Sequence, residues 1–452
     1  MSGTNWTIGI DFGTSNTAAA HTNPVKGTVE AVNLSHNRTT MSSSVYVESP
    51  EQIDVGDVAM DKAESNPAGF IPAPKRVIPQ QMFQVNGYDL STSMPVAAVL
   101  SSVVQRVSRE HGNVQPSELV LTHPEAWSSN EIKVLLDAAA QLGLSAAKIT
   151  TISEPQAAAH YYSRAKALQP GQRIAVFDFG GGTLDIAVLR AEPTGDFRVI
   201  AAKGDNSLGG RTIDNLLYRW VIDQVEKDDP DLADELHSSQ VSIMHSLDES
   251  IREAKEMLSD TSSATITVST PHGEQDFLIT RDEFNEVISG VVDRAVELTQ
   301  SALQQAGVDR RTPIYMTGGS SRIPYVQNRL GEVAVVMTLD DPKAVVARGA
   351  LEATMLGFTE GTGNIVVSKP TRPDNPFGEG PGTLSSVTAS AAAAPNLTTQ
   401  FPTQPDPSGR EVATQGAQTL AATSTATPSG AMANGVLLGG QAATRIRPSA
   451  RM

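Results

Sequence analysis

No cysteine occurs among the 452 residues, which removes disulfides, thiolate metal ligands and thiol catalysis together and leaves the compartment open. No stretch approaches the roughly eighteen consecutive apolar residues of a membrane-spanning helix. No basic-then-apolar leader precedes the first strand, which begins at about Trp6. A cytoplasmic protein without a membrane span is the expectation. Positive charge is scarce: the formal net charge is −16, so nucleic acid is not the expected partner. The eight histidines contain no His-x-x-x-His pair, and with no cysteine beside them a zinc site is not expected. Gly-x-Ser-x-Gly, P-loop and Gly-x-Gly-x-x-Gly patterns are also missing, which argues against a hydrolase elbow, a Walker site and a dinucleotide fold.

What is present is a pattern written twice. Ile8-Gly9-Ile10-Asp11-Phe12-Gly13-Thr14-Ser15-Asn16 and Val176-Phe177-Asp178-Phe179-Gly180-Gly181-Gly182-Thr183-Leu184-Asp185 each give a short apolar strand, an Asp-Phe-Gly turn, a nearby hydroxyl residue and a second strand. Glycines let a backbone approach an anion, successive amide N–H groups form an anion-binding concavity, and a strand-end Asp suits a hydrated divalent cation. Either copy alone reads as an ordinary hairpin turn, because tight turns favour Asp and Gly anyway. Two copies in matching context point to two similar lobes closing on a nucleotide, with convergence of the turns left for the structure to test.

The rest of the chain repeats the scheme. Strand candidates at Val29–Leu34 and Ser44–Val47 extend the first hairpin as a meander, and four prolines in 66–79 mark a surface loop or extended excursion. Helices are expected at Val96–Glu110, Ser129–Leu142 and Pro155–Ala167, with strands at Glu118–Thr122 and Lys148–Ile152. In the second half, Leu247, Ile251, Ala254 and Leu258 fall at helical spacing. A long helix near Arg281–Ala306, a strand at Pro313–Thr317 and a last helix at about 342–355 complete the folded part. The segments are 1–172 for lobe I, 173–358 for lobe II with its final helix packing back on lobe I, and 359–452, a Pro/Ala/Thr/Gly-rich tail expected to be disordered.

Five segments in order carry a family resemblance: Gly9 to Thr14, Lys75-Arg76, Glu154-Pro155-Gln156-Ala157-Ala158-Ala159, Asp178 to Asp185, and Gly318-Gly319-Ser320-Ser321-Arg322-Ile323-Pro324. Over about its first 355 residues the chain resembles the ATPase domain of the 70-kDa heat-shock chaperones (DnaK-like), within the actin and sugar-kinase superfamily. The resemblance implies an α/β, two-lobed actin-like fold of duplicated ribonuclease-H-like lobes. It also implies ATP/ADP and Mg²⁺ as ligands, slow ATP hydrolysis, and a protein client or co-chaperone as partner.

By the same resemblance Asp11 and Asp178 position Mg²⁺ through water, with Glu154 and Asp185 in the outer shell. Thr14, Thr183 and the amides of Gly180, Gly181 and Gly182 hold phosphates, with Gly13, Ser15, Gly209 and Gly210 also counted among the nucleotide-binding positions. Lys75 neutralises the transferring phosphoryl group and helps place water. Gly318, Gly319, Ser320 and Arg322 line the adenosine pocket, and Lys255 and Ser259 match nucleoside contacts. The sequence departs from the family at Ile132, where a relay arginine is usual, at Glu256 beside the adenine, and at Arg252 and Lys343, where acidic residues are usual.

No peptide-binding β-sandwich or helical lid is expected after Phe358. The leading expectation is thus a heat-shock-type ATPase without the usual client-binding domain. A nucleotide-regulated scaffold with negligible turnover is the alternative, and a small-molecule kinase ranks below both.

Overall fold

The opening hairpin folds as β1 (Thr7–Phe12) and β2 (Asn16–Thr22). In β1 the apolar residues alternate, so Ile8, Ile10 and Phe12 enter one core while Gly9 faces the other way. β3 (Val29–Ala31) continues the antiparallel run, and β4 (Glu118–His123) and β5 (Lys148–Ser153) add in parallel on the other side of β1. These five run in the order β5-β4-β1-β2-β3 within a seven-stranded sheet, in which Thr40–Ser42 also pairs with β2 and Glu360–Gly361 with β5. This is a computed structural model, and it describes residues 5–361 apart from 36–37, 145, 166, 229–231, 233–235, 237–240, 271–272, 339–341 and 343. The tail read from the sequence therefore lies outside the described residues beyond Gly361, as does Lys343.

The second sheet repeats these five strands in order and direction. β6 (Arg173–Phe179), β7 (Leu184–Ala191) and β8 (Phe197–Asp205) form the antiparallel run, and β9 (Pro313–Thr317) and β10 (Val335–Met337) add in parallel, giving β10-β9-β6-β7-β8. The internal duplication expected from the two hairpins is thus a duplication of sheet order, and the α/β, two-lobed actin-like architecture follows from it. β6 is apolar on both faces: Ala175, Phe177 and Phe179 join the second lobe's own core, whereas Ile174 and Val176 join a core between the sheets.

Where two helices meet in that central core, the buried residues are mostly small. α2 (Glu154–Ala165) contributes Ala157, Ala158 and Ala159, and α5 (Val345–Leu356) contributes Ala347, Ala350 and Ala353. The backbones approach closely, since a methyl group on Gly349 would lie 1.9 Å from the Ala157 carbonyl oxygen and one on Gly9 would lie 2.7 Å from that of Ala347. Arg164 and Glu352 add an ion pair of 2.7 Å between the same helices. The last helix therefore packs against β1 and α2.

Three expectations are corrected. The Ser44–Val47 segment does not extend the meander; as Val45–Ser49 it forms a separate three-stranded sheet with Gln52–Val55 and Phe70–Ile71. The proline-rich segment is not a loose surface loop. Pro67–Gly69 and Pro74–Gln80 are 3₁₀ turns, each with proline in its first turn, where the missing N–H costs nothing. Finally, Glu360–Gly361, which composition places in the tail, pairs antiparallel with Thr150 and Thr151 on β5. The remaining helices expected from periodicity are present, including Ser93–Glu110, Ser129–Ala140 and Arg281–Gln305. α1 (Asp57–Ser65), which periodicity does not announce, packs on the small three-stranded sheet, and α4 (Val241–Asp260) buries Leu247, Ile251, Ala254 and Leu258.

Candidate functional site

Because the sheets share one strand order, Asp11 near the end of β1 and Asp178 near the end of β6 are equivalent positions, paired across their hairpins with Ala18 and Asp185. Their turns meet. A methyl group on Gly181 would lie 2.6 Å from Ser15 Oγ, and one on Gly182 would lie 2.6 Å from Thr14 Cγ2. The convergence expected from the duplicated pattern is therefore a contact between the two glycine turns.

Each carbonyl of the second turn is tied down. Gly180 O accepts from the Gly210 N–H and from Ser320 Oγ, both at 3.0 Å. Gly181 O accepts from the Arg211 N–H at 2.8 Å, and Gly182 O from Arg76 Nη2 at 2.8 Å. A trans peptide sets each C=O opposite the next N–H, so the amides of Gly181, Gly182 and Thr183 point away from these partners. Ser15 Oγ is buried and has no hydrogen-bond partner among the described residues. An orphan hydroxyl beside fixed amides fits an oxygen-rich anion.

The cavity around the turns measures about 340 Å³. It is lined by Asp11, Gly13, Thr14, Ser15, Lys75, Glu154, Asp178, Gly180, Gly181, Gly182, Thr183, Gly210, Lys255, Ser259, Gly318, Gly319 and Ser320. Three expected residues are placed otherwise. Asp185 lines an adjoining cavity of about 230 Å³ that shares Glu154 and Asp178. Gly209 supports the turn from behind, where a methyl group would lie 2.7 Å from the Gly182 carbonyl carbon. Arg322 is exposed and is not among the lining residues. Arg252 and Glu256 lie at the Lys255–Ser259 end of the cavity, all four on α4. Ile132 and Lys133 belong to the Ser129–Ala140 helix, away from this lining.

Lys75 is held at the centre. Its Nζ donates to Glu154 Oε1 at 2.7 Å and lies 5.5 Å from the centre of the Trp127 ring. Burial opposes its charge, but Glu154, Asp11 and Asp185 outweigh that and hold the ammonium above its usual range. Burial pushes the Asp11 carboxyl up to about 6, reinforced by Glu154 and opposed by Lys75 and a hydrogen bond from Thr122. Asp185 is likewise pushed up to about 6 by burial and then Glu154. Asp178 lies well above the usual carboxylate range, through burial and then the charges of Glu154, Asp11 and Asp185. Four carboxylates thus face one ammonium, an excess of negative charge that a cation would relieve. Among the described residues no group of three or more histidines and carboxylates is placed to hold a metal ion directly.

Sequence reading missed Thr122 and Arg211. Thr122 Oγ1 donates to Asp11 Oδ1 at 2.9 Å from the neighbouring parallel strand; its signal was its place at the end of β4. Arg211 follows the Gly209-Gly210 pair directly, and that adjacency was its only mark.

A model of the Hsp70 protein family matches residues 79–368. Chaperone protein HscA of Xenorhabdus nematophila is 32% identical over 371 residues, covering 76% of this chain and 56% of that protein. The Chaperone protein HscA homolog of Haemophilus influenzae is 30% identical over 373 residues, with the same two coverages of 76% and 56%. HscA of an Enterobacter species is 31% identical over 371 residues, covering 76% of this chain and 57% of that protein. The chain thus spans little more than half the length of these curated relatives, and no helix among the described residues is long and apolar enough to cross a membrane. More than half of its residues fall within the family match, and the chain belongs to the Hsp70 family.

Proposed function

We propose that the chain binds ATP with Mg²⁺ between its two glycine turns and hydrolyses it, as the nucleotide-driven part of a chaperone. The observation that carries this reading is the meeting of the turns around Asp11, Asp178, Glu154 and Lys75 in one cavity. Asp11 and Asp178 would hold the hydrated ion, which neutralises phosphate charge when bound. The amides of Gly181, Gly182 and Thr183 and the Ser15 hydroxyl would take phosphate oxygens. Lys75, fixed by Glu154, would steady the terminal phosphoryl group and the attacking water, so that catalysis is positioning and electrostatics.

Lys255, Ser259, Gly318 and Gly319, which line the same cavity, would receive the nucleoside. ATP binding would draw the lobes together and hydrolysis would release them, a two-state movement that a client or co-chaperone protein could read. The chaperone names of the relatives support that role. Multiple-turnover hydrolysis by the full chain with Mg²⁺, compared with Lys75→Ala, tests the reading. Turnover that depends on Lys75 supports it. Tight ATP binding without turnover moves the protein to a nucleotide-regulated scaffold, and absence of binding overturns the nucleotide site.

A further inference from the structure

Two arginines cross the cleft in opposite directions beside the second glycine turn. Arg76, in the 3₁₀ turn Pro74–Gln80 of the first lobe, donates from Nη2 to the carbonyls of Gly182 at 2.8 Å and Asn206 at 3.3 Å in the second. Arg211 is the second residue of α3 (Gly210–Asp228) in the second lobe, and its Nη2 donates back to the Pro72 carbonyl of the first at 2.8 Å. Its own amide holds Gly181 O at 2.8 Å. The side chain is half-buried and lines the main cavity.

This is a poor place for a cation. Burial and the neighbouring Arg76 both lower the Arg211 proton affinity. The first turn of a long helix adds the positive end of its dipole. Asp214, one turn along, opposes this in part, though it also pairs with Lys255 at 2.6 Å. The acceptor that Arg211 does have, the Pro72 carbonyl, is neutral and takes one N–H, whereas a phosphate adds a full opposite charge and can accept two N–H bonds of the guanidinium fork. A guanidinium thus rests on a neutral acceptor while lining the same cavity as the Gly180–Gly182 turn and the orphan Ser15 hydroxyl.

We infer that Arg211 senses the terminal phosphate: with a nucleoside triphosphate in the cavity its guanidinium exchanges the Pro72 carbonyl for γ-phosphate oxygens, and with a diphosphate it stays on Pro72. The inference rests on the nucleotide reading of the cavity and adds to it a residue that distinguishes the two nucleotides. It also gives the distinction a mechanical consequence. The bond given up joins Arg211 to the opposite lobe, so occupancy of the γ-position alters a direct lobe-to-lobe link while Arg76 keeps its own.

The test is equilibrium binding of a non-hydrolysable ATP analogue and of ADP, each with Mg²⁺, to the full chain and to Arg211→Ala. Loss of one charge-assisted contact predicts about 10- to 100-fold weaker triphosphate binding, with ADP affinity within about twofold. Arg211→Lys, a point charge in place of a fork, recovers part of the loss. Equal loss for both nucleotides, or no loss for the triphosphate, overturns the inference. If the alanine variant fails to fold, Arg211→Gln, which keeps a donor for Pro72 but no charge, carries the same comparison. Failure of the unmodified chain to bind either nucleotide overturns the underlying site reading instead, and this inference with it.

Discussion

Lys75 and Glu154, 79 residues apart in sequence, form an ion pair in which only 8% and 11% of the two side-chain surfaces are exposed. The pair closes the floor of the cavity from the first lobe. Lys75→Ala leaves Glu154 facing Asp11, Asp178 and Asp185 without a cation, and breaking a buried pair in this way costs about 3–5 kcal/mol. Lower denaturant midpoints and loss of ATP turnover are expected together. Lys75→Arg should restore part of the stability but not turnover, since the planar fork cannot occupy the position of a compact ammonium. Turnover at the unmodified rate in Lys75→Ala would remove Lys75 from the mechanism.

Asp11 has an unusual pH signature. Its carboxyl titrates near 6 in the fold against an ordinary value of 3.8, so between those values the folded state holds a proton that the unfolded chain has released. A raised carboxylate therefore destabilises the nucleotide-free protein at pH 7.5, and that penalty fades as pH falls through 6. Asp11→Asn should stabilise the metal-free chain at pH 7.5, on the order of 2 kcal/mol, with the gain vanishing near pH 4. Mg²⁺-dependent nucleotide binding should move the opposite way, weakening below about pH 6 as protons compete for the same oxygens. Urea titrations at several pH values, with and without Mg²⁺, check both signs; a pH-independent effect of Asp11→Asn would contradict the argument.

Local pattern carried the two hairpins, since matching Asp-Phe-Gly turns between apolar strands specify both the strand ends and the positions of Asp11 and Asp178. It also carried the buried stripe of α4, where Leu247, Ile251, Ala254 and Leu258 recur at one helical face. It could not carry the burial of Lys75, because four prolines exclude an α-helix interior but permit 3₁₀ turns, and the partner that buries the lysine lies in another segment. The Thr122–Asp11 bond joins residues 111 apart, and Arg211 meets Pro72 across 139. Such contacts depend on how strands are ordered, which no window of sequence contains. Arg322, placed by motif order, stands exposed at the end of the 3₁₀ turn Gly319–Arg322, and stacking on a base there needs the nucleotide itself, which local pattern does not supply.

Gly318 and Gly290 should respond to alanine with opposite signs. Gly318 has φ +80, and a methyl group there would lie 2.5 Å from both Asp178 Oδ1 and the Phe179 carbonyl oxygen. Gly318→Ala therefore strains the backbone and displaces the carboxylate proposed to hold the cation, so stability and nucleotide affinity should both fall. Gly290 sits on the exposed side of the Arg281–Gln305 helix, and a methyl group there would meet no atom within 4 Å. Gly290→Ala should add about 0.8–1 kcal/mol through helix propensity and leave nucleotide affinity unchanged. Thermal melts and nucleotide titrations on both variants decide the matter, and stabilisation by Gly318→Ala would refute the close approach.

Far from the cavity, His21 Nδ1 and His111 Nε2 share a hydrogen bond of 2.8 Å, and the His111 ring stacks on Trp6 with centroids 4.0 Å apart. Burial lowers the proton affinity of both rings; at His21 it is partly offset by Glu110 and Glu30, and at His111 it is reinforced by His21. A depressed base gains protons more readily on unfolding, so the stability this pair contributes is present above the ordinary histidine value of 6.5 and is lost as pH falls below it. His111→Phe keeps a ring against Trp6 but removes one base and the shared hydrogen bond. It should cost about 1 kcal/mol at pH 7.5 and lose less stability than the unmodified chain between pH 7 and 5. Measured in the Asp11→Asn background, where the opposing carboxylate contribution is gone, the two urea-midpoint curves should converge on the acid side. Parallel curves would mean that the imidazoles protonate freely within the fold and that the pair contributes packing alone.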